Sequence, residues 1–98
     1  MRPTRVRFTL EALGHIAAIH AYIAERNPLS ATRVVARILA AAERLGDFPH
    51  LGHAGLAPGT YEWPVTGLPY ILVHEVHEED EEVMILAVFH GAQDRQGG

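Results

Sequence analysis

Glu62 and His90 are the two residues with which this chain could move protons. A carboxylate and an imidazole are the minimum for metal-free cleavage of an RNA phosphodiester, one acting on the 2′-hydroxyl and the other on the leaving oxygen. Such a site also needs positive charge to hold the phosphorane. Residues 45–94 carry nine acids and no arginine or lysine. His53, His74 and His77 can supply that charge only in part near neutral pH. No residue is therefore assigned as catalytic, and Glu62 and His90 are read as ordinary strand and strand-end polar groups. Were the chain a ribonuclease, they would be its pair.

Seven histidines invite a metal reading. His50 and His53 are three apart in a stretch broken by glycine and proline. His74 and His77 are also three apart, and on a strand that odd spacing sends them to opposite faces. His15 and His20, five apart, share a helical face poorly. None of these spacings has the geometry of a ligand set, so no metal site is expected. Cysteine is absent, which excludes disulfides and thiolate chemistry. No cofactor is expected.

All the positive charge is arginine, and all of it but Arg95 lies in the first part of the chain. Residues 1–44 hold seven arginines against three glutamates, a net +4 in a chain whose total is −4. The acidic second half cannot offer phosphates a cationic surface, so direct nucleic-acid binding is not expected there. Arg33, Arg37 and Arg44 form a stripe that suits an acidic partner. The plainer alternative is a solvated helix face with local pairs to Glu43 or nearby acids. Tyr61 and Trp63 would share one face of a strand, as core residues or as interface anchors. Together with Tyr70, these five are the partner-binding candidates. The acidic run at 78–82 reads as a solubilising hairpin tip.

The elements that must position these residues follow from periodicity. Residues 5–8 alternate like a short strand. Thr9 can cap a helix over about 10–26, whose face is Ala12, Ile16, Ile19 and Ile23, widened by Leu13, Ala17 and Ala24. Gly14 weakens that helix by roughly 1 kcal/mol relative to alanine, which points to a close approach there. Asn27 and Pro28 stop one helix and start the next, with Ser30 a competing cap. Ala31, Val34, Val35, Ile38, Ala42 and Leu45 mark the second apolar face, and Gly46 is its stop. Residues 50–59 read as loop. Three strands follow at 60–65, 70–76 and 83–89, the first with an edge or irregularity at Pro64 and the last apolar on both faces, as in a buried central strand. The order β-α-α-β-β-β predicts an α+β fold: an N-terminal strand, a helical hairpin and a three-stranded C-terminal meander in one largely antiparallel sheet.

With these elements in place, the chain resembles the RelE/ParE superfamily of type II toxin–antitoxin toxins, with the ParE-like branch favoured. The stretches that carry the resemblance are AYIA at 21–24 with Asn27, Pro28 and Ala31, LGDFPHLG at 45–52, PGT at 58–60, LPYILV at 68–73, and ILAVFHGAQD at 85–94. They occur in the family's order along nearly the whole chain. The resemblance implies a toxin that acts by protein binding, with DNA gyrase a possible target, neutralised by a cognate antitoxin. Its alternatives are a RelE-like, ribosome-dependent mRNA endoribonuclease, or a weakened, non-toxic member serving as a binding or autorepression partner. Family members often carry arginine after the loop glycine, in the "GTRE" strand, and after "PY". Here those places read Gly52-His53, Gly59-Thr60-Tyr61-Glu62 and His74-Glu75, a departure that points away from the ribonuclease.

Length and composition bound the rest. Ninety-eight residues, 48% of them hydrophobic, fit one domain spanning 1–98. No signal-peptide run follows Met1, and the longest apolar run is too short to span a bilayer. A cytoplasmic location without membrane association is expected.

Overall fold

The structure is a computed structural model that describes residues 4–92. It is α+β, as the periodicities predict. A first strand, β1 (Arg5–Phe8), leads into helices α1 (Leu10–Ala24) and α2 (Pro28–Asp47). Strands β2 (His53–Ala54), β3 (Thr60–Pro64), β4 (Tyr70–His77) and β5 (Glu82–His90) follow, with a 3-10 turn at Glu78–Asp80. The sheet order is β1-β5-β4-β3-β2. All pairings are antiparallel except β1 with β5. The apolar β5 is thus central, and the meander runs β3-β4-β5.

Capping sets both helix starts. The Thr9 hydroxyl accepts from the Ala12 amide at 3.0 Å and donates to the Leu86 carbonyl at 3.1 Å. Leu86 is the extra residue of a β-bulge, because Val73 pairs with Ala87 while His74 pairs with Ile85. One threonine thus starts α1 and satisfies a carbonyl that the bulge frees. Asn27 accepts from the Ser30 amide at 3.0 Å, with Pro28 opening α2, so Ser30 does not compete for the cap.

The helical hairpin covers one sheet face. Ala12 and Ile16 of α1 and Ile38, Ala42 and Leu45 of α2 pack against Leu72, Val83, Ile85 and Val88. The register aligns Glu62 with Val73 and Ala87 on the opposite face. Pro64 lies past Tyr61 and Glu62, where β2 ends, so its missing N–H leaves no ladder bond unmade on that side.

Several expectations are corrected. Gly46 does not stop α2: it is buried in the last turn, where a Cβ would lie 2.7 Å from the Thr4 carbonyl and 2.9 Å from Val6. Its missing side chain lets β1 cross the helix, and its carbonyl accepts from the Thr4 amide at 2.8 Å. Gly14, expected at a close approach, has open space around it. Leu13 and Ala17 are exposed and do not widen the α1 face. The 50–59 loop contains β2, short enough to leave no periodicity. Glu82 does not belong to a solvated tip; it is buried at the start of β5 and accepts from Arg5 at 3.1 Å and Arg7 at 3.4 Å. The end of the family-like stretch, Gln93 and Asp94, lies outside the described residues.

Candidate functional site

The six partner-binding candidates divide into four places. Arg33, Arg37 and Arg44 follow one another at four and seven residues along α2, which puts them on one stripe of the helix. All three are exposed. The stripe is a solvated helix face, as the plainer reading has it, but without the local pairs to Glu43 or nearby acids: among the described residues no ion pair joins these arginines to an acid. Arg37 instead donates to the Thr66 carbonyl, bracing the turn between β3 and β4 against α2. The Arg44 guanidinium sits over the Phe48 ring, 5.1 Å from its centroid.

Arg37, Arg44 and Trp63 are brought together. With Ala40, Ala41, Val65 and Thr66 they line a groove of about 240 Å³ between α2 and the end of β3. Trp63 is half-buried and packs against the core, as the core reading has it, and its ring also walls the groove. The floor is apolar and the rim carries two guanidiniums whose forks match a carboxylate. Arg33 is one turn away and does not line the groove.

Tyr61 belongs elsewhere. Its ring stacks on His74 at 5.4 Å, and its hydroxyl is 3.3 Å from His50 Nδ1. Tyr70 meets His90 edge-on at 5.6 Å, beside a cleft of about 210 Å³ that also involves His15, Ile19 and Val88.

Glu62 and His90 are not brought together. Glu62 is buried on the sheet face away from the helices, in register with Ala87. His90 is three residues beyond Ala87 on the same strand and so points to the other face, where it meets Tyr70. The two arginines that the sheet does carry, Arg5 and Arg7 on β1, are both bound to Glu82.

His74 and His77 fall on opposite faces, as their odd spacing predicts. His77 pairs with Glu75 at 2.9 Å, while His74 is fully buried. No group of three or more metal-ligating side chains occurs among the described residues. Nor is any described helix long and apolar enough to cross a membrane.

Two functional-looking features escape a reading of the sequence. One is an apolar hollow of about 530 Å³ formed by residues 47–51, with Phe48 half-exposed. The other is His15, whose Nδ1 accepts from the Val88 amide at 3.1 Å. That amide needs a side-chain acceptor because β1 ends opposite Ile85. The unequal lengths of the two strands were the available signal.

A family model for the ParE toxin of type II toxin–antitoxin systems (parDE) matches residues 6–95. The toxin candidate Y4kP of Sinorhizobium fredii is 38% identical over 93 residues, covering 95% of this chain and 94% of that protein. Toxin RelE2 of Caulobacter vibrioides is 34% identical over 89 residues, covering 91% of this chain and 97% of that one. Among solved structures, a chain of the chromosomal ParDE system of P. aeruginosa superposes with a TM-score of 0.78 at 20% identity, over 89% of this chain and 95% of that one. A chain of the Mycobacterium tuberculosis RelBE2 toxin–antitoxin complex gives 0.67 at 25% identity, over 95% and 97%. With the two-helix, five-strand architecture and a family match over nearly all the chain, this protein belongs to the ParE toxin family of type II toxin–antitoxin systems.

Proposed function

We propose that this toxin acts in the ParE-like manner, by binding protein and not by cutting RNA, and that an antitoxin silences it by docking along the Arg37–Arg44–Trp63 groove. The observation that carries this reading is the separation of Glu62 and His90 onto opposite faces of the sheet, three residues out of phase along β5. A ribonuclease needs its base and acid on the same phosphodiester, with cationic donors beside it. Here β2 to β5 supply no arginine or lysine. The groove offers the complementary chemistry: exposed guanidiniums over an apolar floor suit an acidic, partly apolar segment of another protein. DNA gyrase is the target that the family resemblance implies, and the chain is proposed to act in the cytoplasm as one domain.

A second reading, the RelE-like mRNA endoribonuclease, is supported by the 34% identity to toxin RelE2. Induced expression discriminates. The ParE-like reading expects growth arrest with signs of DNA damage while bulk translation at first continues. Purified protein, with or without ribosomes, should leave RNA at background, and the variants Glu62→Gln and His90→Ala should remain as toxic as the parent if they fold. Rapid translation arrest with cleaved messages, lost in a folded His90→Ala variant, would overturn the proposal. Normal growth on expression would instead support the weakened, non-toxic member.

A further inference from the structure

We propose that His74 is a pH-operated latch, fastening residues 48–51 to the sheet when neutral and releasing them when it takes up a proton. The inference is independent of how the toxin acts. His74 lies at the bulged step of β4 and β5 and is fully buried. Its Nε2 is 3.0 Å from the Pro49 carbonyl oxygen. A carbonyl can only accept, so Nε2 carries the hydrogen and Nδ1 is left as a bare lone pair. Nδ1 is buried and has no hydrogen-bond partner among the described residues. That arrangement is tolerable for a neutral imidazole. A second proton would sit on Nδ1 as a buried donor without an acceptor, on a ring that has become charged.

The surroundings act in the same direction. Desolvation by burial holds His74 below its ordinary value of 6.5, the Pro49 bond opposes that shift, and repulsion from His50 adds to it. Tyr61 faces the ring from β3, stacked on it at 5.4 Å. His50 faces it from the fastened segment itself, with Nε2 3.2 Å from Glu78 at the 3-10 turn. Across the β5 register stands Ile85, and the buried residues of α1 and α2 are apolar. On its own strand, Glu75 and His77 pair with each other.

Opening of residues 48–51 exposes His74 and returns it toward 6.5. The closed form therefore binds fewer protons than the open form. The latch is fully effective above 6.5. As pH falls below that value, the opening constant grows by up to about tenfold per pH unit, until the closed form also protonates. What comes free is the turn closed by the Leu51 amide on the Phe48 carbonyl at 3.2 Å, and with it the Phe48 ring on which Arg44 rests.

Amide hydrogen exchange of Leu51, corrected for its intrinsic pH dependence, tests this between about pH 7.5 and 5. The Leu51 opening constant should be flat above 6.5 and rise by up to about tenfold per unit below it, well ahead of Ile85 in the central strand. In His74→Gln the side-chain amide can still donate to Pro49 but cannot titrate, so the rise should vanish. A flat Leu51 profile in the parent, or an acid response retained in His74→Gln, overturns the latch. Should His74→Gln fail to fold, the His74 ring signal of the parent decides by NMR. Titration below 6.5 in step with Leu51 opening supports the proposal, and titration at or above 6.5, or out of step, ends it.

Discussion

Reversing the charge of the groove, with Arg37→Glu and Arg44→Glu together, is expected to weaken antitoxin binding by at least about 3 kcal/mol, on the order of 100-fold in Kd. The size follows from replacing two guanidiniums, which in the proposed complex would face a carboxylate, by two carboxylates that would repel it. Both side chains are exposed, so the fold itself should lose little. The internal costs are the Arg37 bond to the Thr66 carbonyl, about 1 kcal/mol, and the Arg44 contact with the Phe48 ring, about 0.5–1 kcal/mol. Titration calorimetry with the co-expressed antitoxin, alongside a melting curve of the free toxin, separates the two effects. Arg33→Glu, on the same stripe but outside the groove, is the control and should change affinity by less than about tenfold, as rim charges do. Equal losses for Arg33→Glu and the double variant would show that the whole stripe, and not the groove, attracts the partner. An unchanged Kd in the double variant would remove the groove from the interface altogether.

The two helical glycines should respond to substitution with opposite signs. Gly46→Val places a Cβ 2.7 Å from the Thr4 carbonyl and 2.9 Å from Val6, between the last turn of α2 and the strand that crosses it. The nearer obstacle is backbone, which cannot rotate away. Overpacking of this kind costs about 3 kcal/mol. For a domain of this size that lowers the melting temperature by about 12–24 °C. Gly14→Ala adds its Cβ to open space on an exposed helix face, and should gain up to about 1 kcal/mol. Thermal denaturation at neutral pH reads both. A neutral Gly46→Val would mean that β1 does not need to approach α2 so closely.

The contrast between these glycines shows where the sequence was legible. Both helices could be placed from apolar spacing, and the Asn27-Pro28 junction from capping chemistry alone, because such signals depend on neighbours within one turn. The central position of β5 was readable from an apolar run with no polar alternation. Gly14 and Gly46, however, look identical in a sequence. Which of them another backbone crosses is decided by β1, some forty residues earlier than Gly46 in the chain. Glu82 was misread for the same reason. Four acids precede it, and only the parallel pairing with β1 takes it out of that run and sets it between Arg5 and Arg7. For the candidate site, the arginine stripe was visible as a helical period. That it shares a groove with Trp63 but not with Tyr61 was not, since both residues lie on one strand face and differ only in what lies opposite: α2 for one, His74 and His50 for the other.

The parallel pairing of β1 with β5 also fixes the order in which a newly made chain can become itself. Arg5 and its partner Glu82 are 77 residues apart, and β5 is the last of the five strands to leave the ribosome. Until it does, α1 and α2 have no Val83, Ile85 or Val88 to cover. Pairing between such distant segments is slow to form, because closing the long loop precedes any gain from the contact. Synthesis therefore passes through an interval in which the apolar side of the hairpin lacks the cover that β5 gives it, and incompletely covered chains are open to aggregation or to capture by another protein. A partner already present during translation would meet this toxin before its sheet is closed.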